Sequence, residues 1–449
     1  MMFPFWYHDQ GDGRQRQGQL WQVQDGQSGR FDMGNIAQVL PKYQAGYPFY
    51  GLLALWYNSA QNRLGLSEND WGNGMLILAV DIGTGTQDIL LFDSEREVEN
   101  SLKMVMPSPT VRLANAVRAA TRRGDDVLLT GVLMGGGPCA WAVEDHLKAG
   151  YRVYATPDPA RTFNDDLEAV ADMGITLVGE DEAAALDGDV ARLRMADFDY
   201  GAIAAAFARF DVNLDRDLDA LALAVFDHGN APPDMSDRLF RFEYLEERVR
   251  AENRLSAFAF LAEDAPPIMT RMQAVISSVP RDDIPVMLMD TAPAAVLGAL
   301  EDPAVGKRRP AIVTNVGNFH CLAFRLGRGG IEGVFEHHTG EISVEQLEGF
   351  LDQLAAGNLT HAQIFESNGH GAVLFRGDPI PPDACYVAVT GPRRGLLRRS
   401  RHHPYFATPF GDMMLAGCYG LIRAYGDVVP EACEVIDRAL AGRNGKSLW

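Results

Sequence analysis

Two stretches, far apart in the chain, constrain the fold more than any other feature of the sequence. The first is ILAVDIGTGTQDILLFD, residues 77–93, and the second is PAIVTNVGNFHCLAFRLGRGGIEGVFEHHTG, residues 310–340. In each, small and polar residues that include glycine separate two apolar runs, which is the pattern of a β-hairpin. The second hairpin echoes the first.

Strand and helix patterns alternate around these hairpins. LILAVDI, DILLFD and KMVMP predict three strands from Met75 onward, and TVRLANAVRAATRR predicts the helix that follows. The strand DVLLTGVLM, the helix CAWAVEDHLKAG and the strand YRVYAT then form a βαβ unit with a parallel pair. The pattern of residues 235–277 is mostly helical. The fold class is therefore α/β.

Composition limits the classes of partner. The 449 residues are 47% hydrophobic, enough apolar material for two or three domains. The net charge of −20 disfavours a nucleic-acid or anionic-membrane partner, so we expect a small molecule or a protein. No apolar run is long enough to span a bilayer, and the start lacks the basic flank of a secretory signal, so we expect a cytoplasmic protein. The oligomeric state is not indicated.

The first 74 residues differ from the rest of the chain. They open with the glutamine-rich and glycine-rich stretch DQGDGRQRQGQLWQVQDGQSG, and their aromatic residues follow no clear period. We expect residues 1–74 to be a poorly structured extension. The five cysteines of the chain are scattered and never spaced as CxxC, so neither a disulfide framework nor an iron–sulfur site is expected.

The turn of the first hairpin has residue types that suit a bound phosphate: Asp81, Gly83, Thr84, Gly85 and Thr86. Backbone amides and threonine hydroxyls donate to phosphate oxygens, glycine permits close approach, and a carboxylate can hold hydrated Mg²⁺. A purely structural turn has the same composition, because glycine and threonine are frequent in hairpins. From this turn alone, both interpretations remain open.

Three further motifs follow the same logic. Gly317 and Asn318 lie in the turn of the second hairpin, and Gly391, Pro392 and Arg393 follow the strand CYVAVT. Asp290 ends a buried strand and begins a helix of small residues, TAPAAVLGA, which can pack closely against a neighbour. A second such helix begins after Gly411.

The order of these motifs resembles that of the actin-like ATPase superfamily, which includes sugar kinases, hexokinase and acetate kinase. Residues 81–86 match its first phosphate loop, 290–299 its first connecting helix, 314–320 its second phosphate loop, 390–393 its adenosine loop and 411–420 its second connecting helix. Within the superfamily, the sequence resembles domain-of-unknown-function family 1786 through ILAVDIGTGTQDILLFD, TPDPARTFNDDLE, VFDHGNAPPDMSDRLFRF, TNVGNFHCLAF and EHHTG.

This resemblance implies two α/β lobes that close on ATP and Mg²⁺. Residues 75–300 would form a first lobe with a helical insertion, and residues 301–449 a second lobe. Asp81 would be the metal ligand, and Asp290 either the base that takes a proton from an attacking hydroxyl or the group that positions a water molecule. An ATP-dependent phosphotransferase or ATPase acting on an unknown small molecule or protein is implied.

Two departures from the superfamily pattern keep a non-catalytic nucleotide sensor or scaffold open as an alternative. Asn315 stands where ATPase members often have an aspartate, and Pro392-Arg393 where a further glycine is common. Members of the family are sometimes labelled pyruvate formate-lyase activators. Such activators need a three-cysteine cluster motif, which this sequence lacks.

A second rival is an NAD-binding oxidoreductase. Residues 135–140, GGGPCA, satisfy G-x-G-x-x-A between a strand and a helix, and Asp158 ends the next strand where a ribose-binding acid belongs. A dinucleotide fold leaves the opening hairpin unexplained. Gly136 and Gly137 could instead bind a substrate anion at the helix start.

The remaining candidates for binding substrate, metal or anions are an aspartate–histidine pair, two neighbouring histidines and an arginine-rich segment. Asp227 and His228 follow a buried strand, where α/β sheets border ligand crevices, so they either contact substrate or, in the case of His228, merely cap the strand. His337 and His338 are neighbours on a predicted strand and point to opposite faces, so they are not expected to share a metal ion. The arginine-rich segment 393–401 is either a solvated loop or an anion site.

Overall fold

A computed structural model describes residues 5–8, 15–18, 74–232, 234–381 and 384–442. The expectation of a poorly structured extension over residues 1–74 therefore falls almost entirely outside the described residues. Within that extension, strands β1 (Phe5–His8) and β2 (Gln15–Gly18) pair antiparallel and belong to a unit of their own, Met1–Ser67. Everything below concerns the second unit, Glu68–Trp449.

The first large sheet contains six strands in the order β11-β12-β10-β3-β4-β5. Strands β3 (Leu76–Ile82), β4 (Thr86–Asp93) and β5 (Leu102–Pro107) form an antiparallel meander. Strands β10 (Ala220–Val225) and β12 (Val286–Asp290) extend it in parallel on the other side of β3, and β11 (Ala259–Leu261) closes that edge. Both β10 and β12 are buried along their whole length, as expected where helices cover both faces of a sheet.

The second large sheet repeats this plan in the order β16-β15-β14-β13-β17-β18. Its strands are β13 (Ala311–Val316), β14 (His320–Gly327), β15 (Gly330–His338), β16 (Gly371–Leu374), β17 (Tyr386–Thr390) and β18 (Tyr405–Phe406). Strands β13, β14 and β15 form the meander, and β17 and β18 run parallel beyond β13. The sheets differ in their sixth strand, since β11 pairs antiparallel beyond β12 and β16 pairs antiparallel beyond β15. The plan that they share, a three-stranded meander extended by two parallel strands, confirms the predicted two-lobed α/β fold.

A third sheet is inserted between β5 and β10. Its four strands are all parallel, in the order β8-β7-β6-β9: β6 (Asp126–Gly131), β7 (Val153–Ala155), β8 (Ile175–Leu177) and β9 (Val190–Met195). The parallel pair β6 and β7 confirms the predicted βαβ unit. The sequence patterns did not indicate that this unit would have a sheet of its own. The predicted boundary between the lobes at residue 300 stays a prediction.

Helices cover the three sheets. In chain order they are α1 (Pro109–Arg123), α2 (Pro138–Lys148), α3 (Pro157–Ala160), α4 (Leu167–Asp172), α5 (Glu180–Ala185), α6 (Tyr200–Ala208), α7 (Leu214–Asp217), α8 (Asp237–Ala251), α9 (Thr270–Ser278), α10 (Thr291–Ala299), α11 (Pro303–Gly306), α12 (Val344–Ala356), α13 (His361–Phe365), α14 (Ala416–Val428) and α15 (Pro430–Leu440). In the part of the chain that the structure describes, no helix is both long and apolar enough to cross a membrane.

Helices α10 and α14 cross each other in close contact because both are built from small residues. A Cβ atom on Gly298 of α10 would lie 1.7 Å from the carbonyl oxygen of Ala416, and one on Gly420 of α14 would lie 1.8 Å from that of Ala294. Only glycine at these two positions allows the backbones to approach so closely. The close packing predicted for the small-residue helix at Asp290 is thereby confirmed.

Candidate active site between the two hairpins

The turns of the two hairpins have the same hydrogen bond and face each other. In the first turn, the N–H of Gly83 donates to the carbonyl of Thr86 at 2.9 Å; in the second, the N–H of Gly317 donates to the carbonyl of His320 at 2.9 Å. A Cβ atom on Gly85 would lie only 2.4 Å from Nδ2 of Asn318. The two glycine-containing loops, far apart in sequence, therefore meet at one cleft.

Most of the residues predicted to bind a nucleotide line this cleft: Asp81, Gly83, Thr84, Thr86, Gly317, Asn318, Gly391 and Pro392. Asn315, one of the two departures noted above, lines it as well. Gly85 and Arg393 do not line the cleft. The backbone N–H of Arg393 donates to the carbonyl of Val316 at 2.9 Å, which ties residues 391–393 to the second hairpin.

Asp81 and Asp88 form a pair of carboxyl groups at the floor of the cleft. They are opposite each other on β3 and β4, both are 8% exposed, and both line the cleft. Burial raises the pKa of Asp81 to about 7, although the hydroxyl of Thr291 donates to its carboxylate. Burial, followed by the charge of Asp81, raises the pKa of Asp88 to about 8.

This carboxyl pair has unused capacity to bind a cation. Among the described residues, Oδ1 of Asp88 has no hydrogen-bond partner, although it is buried. The first turn of α14 lies against the pair, since a Cβ atom on Gly417 would be 1.9 Å from Oδ2 of Asp81. Carboxylate oxygens are the ligands that Mg²⁺ prefers, so the pair has the donor atoms that the predicted metal would need, and the sequence did not suggest Asp88 for this.

Asp290 has a different setting from the one its predicted role requires. Its Oδ2 accepts from Nη1 of Arg241 at 2.7 Å, and its Oδ1 accepts from the N–H of Ala292 at 3.0 Å, capping α10. Arg241 is also bonded to Glu336 of β15, at 2.7 Å, so all three charged groups form one buried network. Asp290 does not line the cleft. Its predicted role as a base stays a prediction, and the geometry weighs against it.

Arg271 of α9 is a cleft residue that the sequence did not suggest. Its Nε donates to Oδ2 of Asp197 at 2.7 Å and its Nη1 donates to the carbonyl of Phe226 at 2.6 Å, so its guanidinium is held in place. It lines both the cleft and the cavity beside it. No local pattern marks it, because its partner Asp197 lies in a distant segment of the chain.

A second cavity, of about 1200 Å³, adjoins the cleft. Thr84, Phe226, Arg271, Phe319 and His320 line both spaces, so the cavity borders the cleft. Of the residues predicted to contact substrate, four line the cavity and one does not: Gly136, Gly137, Asp227 and His228 are in its wall, and Asp158, in the first turn of α3, is not.

Both carboxylate oxygens of Asp227, in the wall of the cavity, accept hydrogen bonds from backbone N–H groups. Its Oδ1 accepts from the N–H of Gly229 at 2.8 Å, and its Oδ2 accepts from that of Met272 at 2.9 Å. The carboxylate therefore fixes the loop that carries His228. His338 also lines the cavity, whereas Nε2 of His337 lies 2.8 Å from the carbonyl oxygen of Ser367. The predicted opposite orientation of these two histidines is confirmed.

The glycine-rich loop 135–137 connects β6 to α2, as the dinucleotide pattern predicts. Two N–H groups at this end of α2 are already engaged: that of Gly135 donates to the carboxylate of Asp197, and that of Cys139, in α2, donates to the hydroxyl of Thr110. Pro138 has no N–H to offer. A Cβ atom on Gly137 would lie 3.5 Å from both Thr84 and Phe319, so the loop packs against the two hairpin turns. It forms a wall of the cavity.

A family model described as "Putative pyruvate format-lyase activating enzyme (DUF1786)" matches residues 134–396, which is more than half of the chain. Two solved structures are similar to this chain, and in each case the aligned region covers 82% of this chain and 92% of the other. One is an exopolyphosphatase-like protein (8% identity, TM-score 0.25), and the other is a carbohydrate kinase from Novosphingobium aromaticivorans (11% identity, TM-score 0.22). Among curated proteins, none is significantly similar in sequence.

Proposed function

The chain belongs to domain-of-unknown-function family 1786, and we propose that it binds Mg-ATP between its two hairpins and transfers the γ-phosphate to a small molecule in the adjoining cavity. The observation that carries this proposal is the meeting of the hairpins. The N–H groups of Gly83 and Gly317 close two equivalent turns, one from each lobe, and these turns place the hydroxyl groups of Thr84 and Thr86 and the side-chain amide of Asn318 around one space. These groups donate hydrogen bonds to phosphate oxygens.

The carboxyl pair would hold the metal ion. Asp81 and Asp88 are buried side by side, which costs free energy when both are ionised and no cation is present. A bound Mg²⁺ offsets this cost and brings positive charge to the phosphates, which is most of what phosphoryl transfer requires of a protein.

Arg271 would assist on the side of the cavity. It borders both the cleft and the cavity with a cationic side chain, and Asp197 fixes its orientation. A guanidinium at this border would neutralise charge on a phosphoryl group as it passes from the nucleotide to the acceptor. The adjoining cavity supports transfer to a small molecule over simple hydrolysis, because a space of this size can hold an acceptor.

The test is turnover of the full chain with Mg-ATP, followed as ADP formed, with a panel of small hydroxyl and carboxylate compounds as acceptors. We expect slow ADP formation alone and faster formation with an accepted compound. Arg271→Gln should lower the rate by about 100-fold, in the range seen when one charge-stabilising donor is lost. Arg209→Gln, at an exposed position outside both spaces, is the matched control.

Two results would reject this function. ATP binding without any ADP formation across the panel would favour the nucleotide sensor. A rate for Arg271→Gln equal to that of the wild type would remove the arginine from the mechanism and leave binding alone.

A further inference from the structure

Three histidines from three distant segments meet at the border of the cleft and the cavity. His228 follows β10, His320 begins β14, and His370 precedes β16. One ring nitrogen from each lies within 4.8 Å of the other two, and Nε2 of His228 is 3.3 Å from Nε2 of His370. Within the described residues, this is the one group of three or more such side chains gathered closely enough to hold a metal ion.

The surroundings keep these imidazoles neutral, which is the form that binds metals. Burial lowers the pKa of His228 to about 3, with the charges of Arg241 and Arg271 adding to the effect. The pKa of His320 is also lowered, first by burial and then by His370 and the other neighbouring histidines.

A carboxylate stands behind the cluster, on the far side of His370. Nδ1 of His370 is 3.6 Å from Oε1 of Glu336, and the two side chains are 1% and 0% exposed. Both atoms lack a hydrogen-bond partner within the described residues, which is unusual for buried polar atoms. A histidine that binds a metal with one ring nitrogen commonly donates its other N–H to a carboxylate. Glu336 is in the position for that role.

The charges around the cluster leave room for a cation. Arg241 is bonded to Asp290 and Glu336, and Arg271 is bonded to Asp197. With Asp227 buried beside His228 and Arg238 near His370, four carboxyl groups and three guanidinium groups surround the cluster, an excess of one carboxyl group.

A purely structural cluster is the alternative. The ring of His320 stacks on Phe226 with centroids 4.0 Å apart, and the rings of His228 and His370 are 5.4 Å apart and nearly parallel. Stacking accounts for the positions of the rings. It does not account for three ring nitrogens that converge, nor for the unpartnered pair formed by His370 and Glu336.

We propose that His228, His320 and His370 bind a divalent transition-metal ion of the zinc class, with its remaining coordination position open toward the cavity. Three protein ligands and one open position are typical of catalytic rather than structural zinc sites. Because His228 and His320 line the cavity, an anionic or carbonyl group of a bound molecule could reach the ion. This ion is distinct from the Mg²⁺ proposed at Asp81, which has oxygen ligands.

The experiment is calorimetric titration of the full chain, stripped with chelator and free of nucleotide, with Zn²⁺; Co²⁺ serves as the spectroscopic probe. We expect one equivalent to bind, with the visible absorption of a Co²⁺ site that has nitrogen ligands. His320→Asn and His228→Asn should each weaken binding by more than about 100-fold, and Glu336→Gln by about 10–100-fold, the usual effect of an outer partner. His361→Asn, whose ring stacks on Phe365 outside the cluster, should bind as the wild type does.

Absence of stoichiometric Zn²⁺ and Co²⁺ binding by the wild-type chain would overturn the proposal, and so would wild-type affinity in both His320→Asn and His228→Asn. Circular dichroism shows whether each variant is folded, and the titration of the wild type decides the question if neither variant folds. Since no nucleotide is present, a negative result leaves the proposed ATP site untouched.

Discussion

Gly85 and Asn318 lie in contact across the cleft, one in the turn of each hairpin. A Cβ atom on Gly85 would be 2.4 Å from Nδ2 of Asn318 and 3.2 Å from its Cγ, well inside van der Waals contact. Each residue is in the turn of a glycine-containing hairpin, one from each large sheet. The distance between the turns is therefore set by the absence of a side chain at position 85.

Gly85→Ala tests whether this distance matters for the nucleotide. The added methyl group displaces Asn318 and separates the turns, so donors on the two sides can no longer contact the same phosphates. We expect Mg-ATP affinity to fall by about tenfold, equivalent to about 1.4 kcal/mol, measured by calorimetry. In Gly329→Ala the new methyl group meets nothing within 4 Å, so affinity should be unchanged. Equal affinity in the two variants would contradict a shared site.

Gly298→Ala tests the crossing of α10 and α14. The methyl group would be 1.7 Å from the carbonyl oxygen of Ala416, so the helices must move apart. We expect the free energy of unfolding to fall by about 3 kcal/mol or more, the upper end for overpacking. Gly349→Ala is the matched control, since it also lies within a helix but has open space around it. It should stabilise the protein by about 0.5–1 kcal/mol, and a similar loss in both variants would contradict the account.

Local patterns in the sequence were sufficient to predict helices, strands and turns, but not which distant segments these elements contact. The hairpins at Gly83 and Gly317 and the small-residue helix at Gly298 were predictable, because their signals lie within a few consecutive residues. The inserted sheet was seen only as a βαβ unit, since the pairing of β9 with β6 depends on segments far apart in the chain.

The same limit explains which contacts of the candidate site could not be predicted from the sequence. Asp290 was correctly placed at a strand end, yet its partner Arg241 comes from a helix 49 residues earlier, so its engagement could not be foreseen. His228 and His370 are 142 residues apart. No spacing rule connects such residues; only the packing of one lobe against the other brings them together.

The carboxyl pair predicts a dependence of stability on pH. The pKa values of Asp81 and Asp88 are raised from 3.8 to about 7 and about 8 in the folded protein. At a pH between the ordinary pKa of 3.8 and these raised values, the folded chain binds more protons than the unfolded chain. The free energy of unfolding therefore falls as pH rises from about 4 to about 8. Asp88→Asn should remove much of this fall.

For Asp88→Asn without metal or nucleotide, we expect a gain of about 2–4 kcal/mol over the wild type at pH 8 and little change at pH 5, measured by denaturant unfolding. Asp172→Asn, at an exposed position, is the control and should follow the wild type at both pH values. An Asp88→Asn protein that is less stable at pH 8 than the wild type would contradict the account.

Asp290→Asn separates a structural role from a catalytic one. The substitution leaves Arg241 with Glu336 as its one remaining buried carboxylate, so we expect a loss of about 3–5 kcal/mol in the free energy of unfolding. Unfolding and ADP formation are to be measured on the same preparation. A variant with wild-type stability and ATP affinity but no turnover would instead establish Asp290 as the base.

Calorimetric titration of the full chain with ATP in the presence of Mg²⁺ tests the central claim most directly. The account predicts one ATP bound per chain, affinity at least about tenfold weaker in Asp81→Asn, and no heat of binding with NAD⁺. Saturable binding of NAD⁺ in place of ATP, or ATP affinity equal in the wild type and Asp81→Asn, would contradict it.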